Sequence, residues 1–146
     1  MNKLEKVKDI LKEKKLRITS SRLAVASFLI KNQKSTLRAE DIYSKISHSK
    51  DYDCDQVSVY RALTLFEELG LVTKTQFQGG AARYSLTSSL KRNHAYHQHY
   101  FKCNQCNIIE PLDSCFVAKK ESELKKNGYS NLKHHIEITG LCPNCA

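Results

Sequence analysis

Two CxxC pairs are the feature that most limits how this 146-residue chain can fold. Cys103 and Cys106 form one pair, Cys142 and Cys145 form the other, and 35 residues separate the pairs. Two thiolates separated by two residues can face one tetrahedral ion, and two such pairs complete a closed sulfur shell. Because this shell leaves no open position and soft thiolates favour zinc, we expect a structural Zn²⁺ that ties the strand near Tyr100 to the C-terminus.

The alternatives for these four cysteines are a redox disulfide or two unrelated pairs. A thioredoxin-like CxxC begins a helix in a βαβ unit, and neither pair lies in such a unit. The first residues alternate charged and apolar side chains, unlike a signal peptide, and no apolar run approaches the roughly 18 residues that cross a bilayer. We therefore expect a cytoplasmic protein, in which disulfide frameworks are rare.

The two remaining cysteines are not favoured as metal ligands or as sensors. Cys115 lies at the predicted start of a helix that buries Phe116, Val117 and Leu124, and a small core residue is favoured there over a metal ligand. Cys54 lies just before another helix, where an incidental thiol is favoured over a sensor.

Charge and metal-binding residue types divide the chain at the polar segment 87–93. Residues 1–86 carry 16 basic and 10 acidic side chains, whereas residues 87–146 carry 8 and 5, together with five of the six cysteines and five of the six histidines. We predict a basic domain over 1–86, a hinge over 87–93 and a metal-binding domain over 94–146. The formal net charge of +9 favours a polyanionic partner.

Four helices and a glycine-turn hairpin are predicted in the basic domain. Each helix has a periodic apolar face, and the second and fourth helices also have a capping residue at their starts. The predicted starts are near Lys3, at Thr19 or Ser20, at Arg38 and at Asp55. The fourth helix ends at Gly70, and two strands then flank Gln78-Gly-Gly. This order is typical of a winged helix-turn-helix and indicates an α+β fold.

The outward face of the fourth helix offers groups that suit a DNA major groove. A helix fits that groove and must present hydrogen-bond donors to bases and phosphates. The candidate DNA contacts are Ser58, Tyr60, Arg61 and Thr64 on the helix, and Lys74 and Arg83 in the wing. An ordinary solvated face is the alternative, but the order of elements and the basic charge favour double-stranded DNA as a partner.

A second, mixed metal site is predicted around the histidine-rich segment before Cys103. If that segment is a strand, His97 and His99 point to the same side, and Glu110 on the next strand can add an oxygen ligand. Further regulatory candidates are His94 in the linker and His134 in a strand predicted over 133–139. The alternatives are a solvated linker and, for His134 or His135, a half-buried strand residue.

The mixed site should bind its ion more weakly than the sulfur site. Imidazole binds metal only when it is neutral, so occupancy depends on pH. A reversible ion at a hinge can shift the equilibrium between two arrangements of the DNA-binding modules. The two sites thus predict one structural and one regulatory metal.

The sequence resembles the ferric uptake regulator (Fur) superfamily, which includes iron, zinc and peroxide sensors. The resemblance extends over nearly the whole chain and includes the Gln78-Gly-Gly wing, the His-x-His segment and the CxxC pairs. Its other motifs are Leu16-Arg-Ile-Thr19, Arg38-Ala-Glu-Asp-Ile-Tyr43, Val57-Ser-Val-Tyr-Arg-Ala-Leu63, Glu68-Leu-Gly-Leu-Val72 and Thr139-Gly-Leu-Cys142. The resemblance implies a C-terminal α/β dimerisation domain and a homodimer that represses genes at palindromic operators when metal is bound. It also implies that Tyr60 and Arg61 contact DNA and that Lys14 and Lys15 contact phosphates.

Some ligands of the superfamily's usual sensing site are missing. Ser35-Thr36-Leu37 replaces the expected N-terminal histidine, and Ser85 stands where a carboxylate or thiol ends the wing. The remaining ligands match His97, His99, Glu110 and, in a second site, His134. Completion of the site by His94 would give a shell dominated by imidazole, which favours zinc over iron and points to the zinc-sensing branch.

The sequence therefore predicts a metal-dependent transcriptional repressor of metal-homeostasis genes, with Zn²⁺ or Fe²⁺ as corepressor. A thiol- or peroxide-responsive regulator of the same fold is the alternative, although the aspartates expected of a peroxide sensor are absent. An enzyme such as a zinc hydrolase is disfavoured because no motif such as HExxH supplies a positioned general base.

Overall fold

The computed structural model describes residues 2–87, 99–112 and 115–146. The chain divides into two compact units, Met1–Arg92 and Asn93–Ala146, hereafter unit 1 and unit 2. Apart from Thr87, the predicted hinge over 87–93 lies outside the described residues. Within the described ranges, no helix is long and apolar enough to cross a membrane.

Unit 1 has the predicted order of helices followed by a hairpin. Its elements are α1 (Lys3–Glu13), α2 (Ser20–Lys31), β1 (Leu37–Arg38), α3 (Ala39–Ser47), α4 (Gln56–Glu68), β2 (Val72–Thr75) and β3 (Arg83–Leu86). The strands form an antiparallel sheet in the order β1-β3-β2, with Leu37 opposite Tyr84. The two-residue β1 was not predicted, because a strand this short has no periodic pattern in the sequence.

Side-chain caps begin three of the helices that form the core of unit 1, and Asn2 caps α1 by accepting a 3.1 Å hydrogen bond from the amide two residues later. Thr19 caps α2 and Asp55 caps α4, each by accepting a hydrogen bond from the amide three residues later, at 3.3 and 2.7 Å. These bonds satisfy first-turn amides that have no partner within the helix. α3 lacks such a cap, and Arg38 before it instead pairs with Asp41 through Nε at 2.9 Å and Nη2 at 3.0 Å.

The core of unit 1 forms where the apolar faces of the helices meet each other and the sheet. Its largest fully buried side chains include Leu11 from α1, Leu29 from α2, Ile42 from α3 and Phe66 from α4. Burial of a side chain of this size contributes roughly 1.5–3 kcal/mol. The core therefore fixes α4 by its inner face and leaves its outer face available to a partner.

The described residues of unit 2 form a second small sheet and one helix. Its elements are β4 (His99–Cys103), β5 (Ile109–Leu112), α5 (Ala118–Lys126) and β6 (Ile138–Gly140). β4 lies in the centre, antiparallel to β5 and parallel to β6. The strand predicted over 133–139 is wrong in extent, since β6 begins only at Ile138.

α5 begins later than predicted and is less buried. It starts at Ala118 rather than at Cys115, and it contains no buried residue. Phe116 is 62% exposed, so its predicted burial is wrong. The physical reason is composition, because the helix is mostly Lys and Glu and Leu124 alone cannot form an apolar stripe.

Candidate metal centres and DNA-binding face

The four CxxC cysteines converge in unit 2. Their Sγ atoms all lie within 4.8 Å of one another, and those of Cys106 and Cys142 are 3.7 Å apart. A tetrahedron with Zn–S bonds of about 2.3 Å has S···S edges of about 3.8 Å. Pairing of Cys103 with Gly140 between β4 and β6 brings the two CxxC turns together. The donor set and its spacing therefore fit one zinc ion.

The environment of the four sulfurs also favours a cation. Backbone amides of Cys106 and Cys142 that donate to the sulfur of Cys103 lower its thiol pKa to about 6. The neighbouring Cys142 thiol raises the pKa of Cys145 to about 12. Closely packed thiols thus resist becoming thiolates together, and a central divalent ion would offset that repulsion.

A second cluster in unit 2 joins His99, Cys115 and His134. The Nε2 atoms of the two histidines are 3.1 Å apart. Sγ of Cys115 lies 3.3 Å from Nε2 of His99 and 3.5 Å from Nε2 of His134. Oε1 of Glu121 lies 2.5 Å from Nδ1 of His134, on the outer side of that ring. Three potential metal donors therefore meet from β4, from the turn before α5 and from the segment before β6.

The structure brings two of the predicted regulatory ligands together and places a third apart from them. His99 and His134 come together, whereas Glu110 is exposed on β5 opposite Phe101 and belongs to neither cluster. His94 and His97 lie outside the described residues. Both remain predicted ligands.

Cys115 is the residue that sequence reasoning missed. It is half-buried rather than part of a core, and its sulfur faces two imidazoles. A lone cysteine separated by 16 and 19 residues from its histidine neighbours has no recognisable ligand spacing. The available signal was weaker, namely one thiol outside the CxxC pairs in a domain rich in histidine.

The outer face of α4 presents the predicted recognition residues to solvent to different degrees. Tyr60, Arg61 and Thr64 are exposed, and Ser58 is half-buried. The Tyr60 hydroxyl donates a 2.7 Å hydrogen bond to Oε1 of Glu40 on α3. This bond lowers the pKa of Glu40 and raises the pKa of Tyr60.

The remaining predicted DNA contacts lie in the wing and after α1. Lys74 is exposed on β2, while Arg83 on β3 is half-buried. The Arg83 guanidinium donates to Thr36 through Nε at 3.1 Å and Nη2 at 3.4 Å, which holds the segment before β1. Lys14 and Lys15 are both exposed, and Lys15 has a left-handed φ of 56°.

The profile of the ferric uptake regulator family matches residues 13–139, which include most of both units. The chain belongs to this family. It is 27% identical over 145 residues to the ferric uptake regulation protein of Bacillus subtilis (strain 168), covering 99% of this chain and 95% of that protein. It is 28% identical over 136 residues to the Legionella pneumophila protein of the same name, covering 92% of this chain and 95% of that protein.

Solved structures of Fur-family proteins share the fold. The Helicobacter pylori ferric uptake regulator matches with a TM-score of 0.69 at 22% identity, covering 97% of this chain and 90% of that chain. The PerR peroxide sensor of Streptococcus pyogenes matches with a TM-score of 0.53 at 22% identity, covering 100% and 95%. These likenesses confirm the predicted α+β winged-helix fold class.

Family membership confirms the predicted class of activity. Ferric uptake regulators are transcription regulators that bind metals and DNA and form dimers, and they are not enzymes. This Fur-family chain is accordingly a metal-responsive transcription regulator.

Proposed function

We propose that this regulator represses metal-homeostasis genes in the cytoplasm as a homodimer bound to a palindromic operator. One structural Zn²⁺ per chain would occupy the four-cysteine site, and a regulatory Zn²⁺ or Fe²⁺ would act as corepressor. The main observation behind this proposal is that the described residues of unit 2 include two donor sets of different chemistry, four sulfurs in one and a mixture of imidazole and thiol in the other.

The two donor sets suit the two roles for different reasons. A closed four-thiolate shell has no open position, so its ion is retained and supports folding. A shell with neutral imidazoles and fewer ligands releases its ion more readily, particularly when pH falls. His99 and His134 would be two of the regulatory ligands, with His94, His97 and Glu110 as further predicted ones.

Metal and operator binding must be coupled reciprocally. If the ion raises the affinity of the protein for DNA, DNA binding must raise the affinity of the protein for the ion by the same factor. Such couplings are typically about 5–150-fold. In each protomer, the proposed DNA contacts on α4 are Ser58, Tyr60, Arg61 and Thr64. The proposed contacts with the phosphate backbone of the DNA are Lys14, Lys15, Lys74 and Arg83.

The test is a titration of DNA binding with chelator-treated protein that retains its structural zinc. The operator would first be selected from random duplexes in the presence of added metal. Separate titrations with Zn²⁺, Fe²⁺ and Mn²⁺ should raise operator affinity for at least one ion, and excess chelator should reverse the effect. Equal affinity with and without every added ion would exclude a metal corepressor.

The alternative is a thiol- or peroxide-responsive regulator. It draws support from Cys115, because an adjacent imidazole can promote the reactive thiolate form of a cysteine. This alternative requires operator binding to change on peroxide treatment in the absence of added metal. It also requires that change to disappear in Cys115→Ser.

A further inference from the structure

We infer that His99, Cys115 and His134 form a thiolate-containing site selective for Zn²⁺, in which Glu121 positions the His134 ring. This inference rests on the proposed metal-dependent function, because it names the ion that the regulatory site admits. It adds a sulfur ligand that the sequence did not predict and a carboxylate that acts through another residue.

The three donor atoms already have the separations of one face of a zinc tetrahedron. With Zn–N bonds of about 2.0–2.1 Å and a Zn–S bond of about 2.3 Å, the expected edges are about 3.3 Å for N···N and about 3.5 Å for N···S. The corresponding distances are 3.1 Å between the histidines and 3.3 and 3.5 Å from the sulfur to each. One ion can therefore bond to all three atoms with only small shifts.

Glu121 orients His134 from outside the cluster. Its Oε1 lies 2.5 Å from Nδ1, and the two side chains are 21% and 14% exposed. A carboxylate that accepts from Nδ1–H leaves the lone pair on Nε2, the atom that faces His99 and Cys115. Glu121 also lies in the first turn of α5, where the helix dipole favours a negative charge. The arrangement is the carboxylate–histidine–metal relay found around many zinc sites.

The sulfur ligand determines which ion the site prefers. A thiolate is a soft ligand that strengthens binding of zinc, whereas Mn²⁺ favours oxygen ligands and Fe²⁺ binds more weakly than Zn²⁺ to most donor sets. Two imidazoles and one thiolate supply three of the four positions around a tetrahedral ion. The remaining position allows exchange, which distinguishes this site from the four-cysteine shell.

Cobalt is the probe that tests sulfur ligation directly. The full-length protein, with zinc retained in the four-cysteine site, would be titrated with Co²⁺ and its absorption spectrum recorded. We expect a thiolate-to-cobalt charge-transfer band together with the intense visible bands of tetrahedral Co²⁺. Cys115→Ser should remove the charge-transfer band, and Cys54→Ser, which changes a thiol in unit 1, should retain it. A band of equal intensity in wild type and Cys115→Ser would overturn the assignment.

Competition with a chromophoric chelator then measures selectivity. Cys115→Asp should lower zinc affinity at least tenfold while leaving Mn²⁺ affinity similar or higher, so the preference for zinc shrinks. An unchanged ratio of zinc to manganese affinity would show that the sulfur does not select the ion.

Glu121 is tested against a neighbour on the same helix. Glu121→Ala should weaken zinc binding about 10–100-fold, as loss of an outer-shell partner does. Glu123→Ala is the control, because Glu123 pairs on the surface with Lys120. Equal zinc affinity in the two variants would refute the positioning role.

The outcomes separate this inference from the proposed function. Metal-stimulated operator binding without a Cys115-dependent cobalt band would refute the sulfur ligand and leave the repressor intact. A Cys115-dependent band without any metal effect on operator binding would establish the site and refute its regulatory role.

Discussion

The two units of this regulator are stabilised by different physical means. Unit 1 encloses an apolar core built from four helices and its sheet. Among the described residues of unit 2, the buried side chains are His99, Tyr100, Cys103 and Cys142, of which three belong to the candidate metal centres. A unit with so little apolar burial within one protomer needs another source of stability, and metal binding and oligomerisation both supply it in small domains.

The difference extends to what each unit can sense. The stability that hydrophobic burial provides changes little with the concentration of any small ligand. The stability of a fold that binds metal rises with the concentration of that metal by mass action. Cys103 and His99 occupy opposite ends of β4, about 13 Å apart along the strand. One strand therefore connects the proposed structural ion to the proposed regulatory one.

The largest effect is expected from removal of a sulfur ligand. Cys142→Ser should unfold or monomerise unit 2 while unit 1 stays folded, because structural zinc contributes about 10–16 kcal/mol in small zinc domains. Zinc content, sedimentation and thermal melting followed for each unit would measure this. Cys54→Ser is the matched control, and a stable Cys142→Ser dimer with normal zinc content would contradict the structural role.

A smaller effect, confined to metal-dependent operator binding, is expected from a change in the cluster of His99, Cys115 and His134. His99→Ala should leave the fold and the dimer intact and remove metal-stimulated operator binding, a loss of about 5–150-fold in affinity. Fluorescence anisotropy with labelled operator would detect it.

His135→Ala is the control for this loss. Its side chain is 74% exposed and belongs to neither cluster. Unchanged metal dependence in His99→Ala would show that this histidine is not a regulatory ligand.

Unit 1 should respond to backbone changes rather than to metal. Lys15 has a left-handed φ of 56°, which a non-glycine residue adopts at a cost of about 1 kcal/mol. Lys15→Gly should therefore raise the melting temperature of unit 1 while weakening operator binding, because it removes a proposed phosphate contact.

Lys14→Gly is the matched comparison, since Lys14 has an ordinary φ of −83°. Lys14→Gly should lower both the stability of unit 1 and the affinity for the operator. It should reduce the salt dependence of binding by about as much as Lys15→Gly does. Equal stability changes in the two variants would argue against relief of backbone strain at Lys15.

The smallest expected effect concerns acid stability. Arg38 holds the pKa of Asp41 below its ordinary value of 3.8. A depressed carboxyl pKa stabilises the fold above the unfolded value, and this contribution is lost as pH falls through the folded value. Asp41→Asn should be slightly less stable than wild type at pH 7, by less than about 1 kcal/mol for so exposed a pair.

The difference between Asp41→Asn and wild type should begin to shrink as pH falls through 3.8 and should disappear below the lowered pKa of Asp41. Urea unfolding across pH would record it, with Asp9→Asn at an exposed position on α1 as the control. A difference that persists unchanged in acid would mean that the Arg38 pair contributes nothing through charge.

Prediction from sequence succeeded where the determining contacts are local. Thr19 and Asp55 each accept a hydrogen bond from an amide three residues away, so the local sequence was enough to identify the starts of α2 and α4. It failed at Phe116 and over 133–137, where apolar or alternating residues indicated burial and pairing. Burial and strand pairing depend on the surface that a segment meets, which its own residues do not specify.

The same distinction separates the two metal centres. The sequence by itself determined the four-cysteine cluster, because each pair is a local turn and two pairs with this spacing form a sulfur shell. Only the tertiary structure decided that Cys115 and Glu121 accompany His99 and His134. Their proximity depends on how β4, α5 and the segment before β6 pack, and this packing is a non-local outcome of the whole unit.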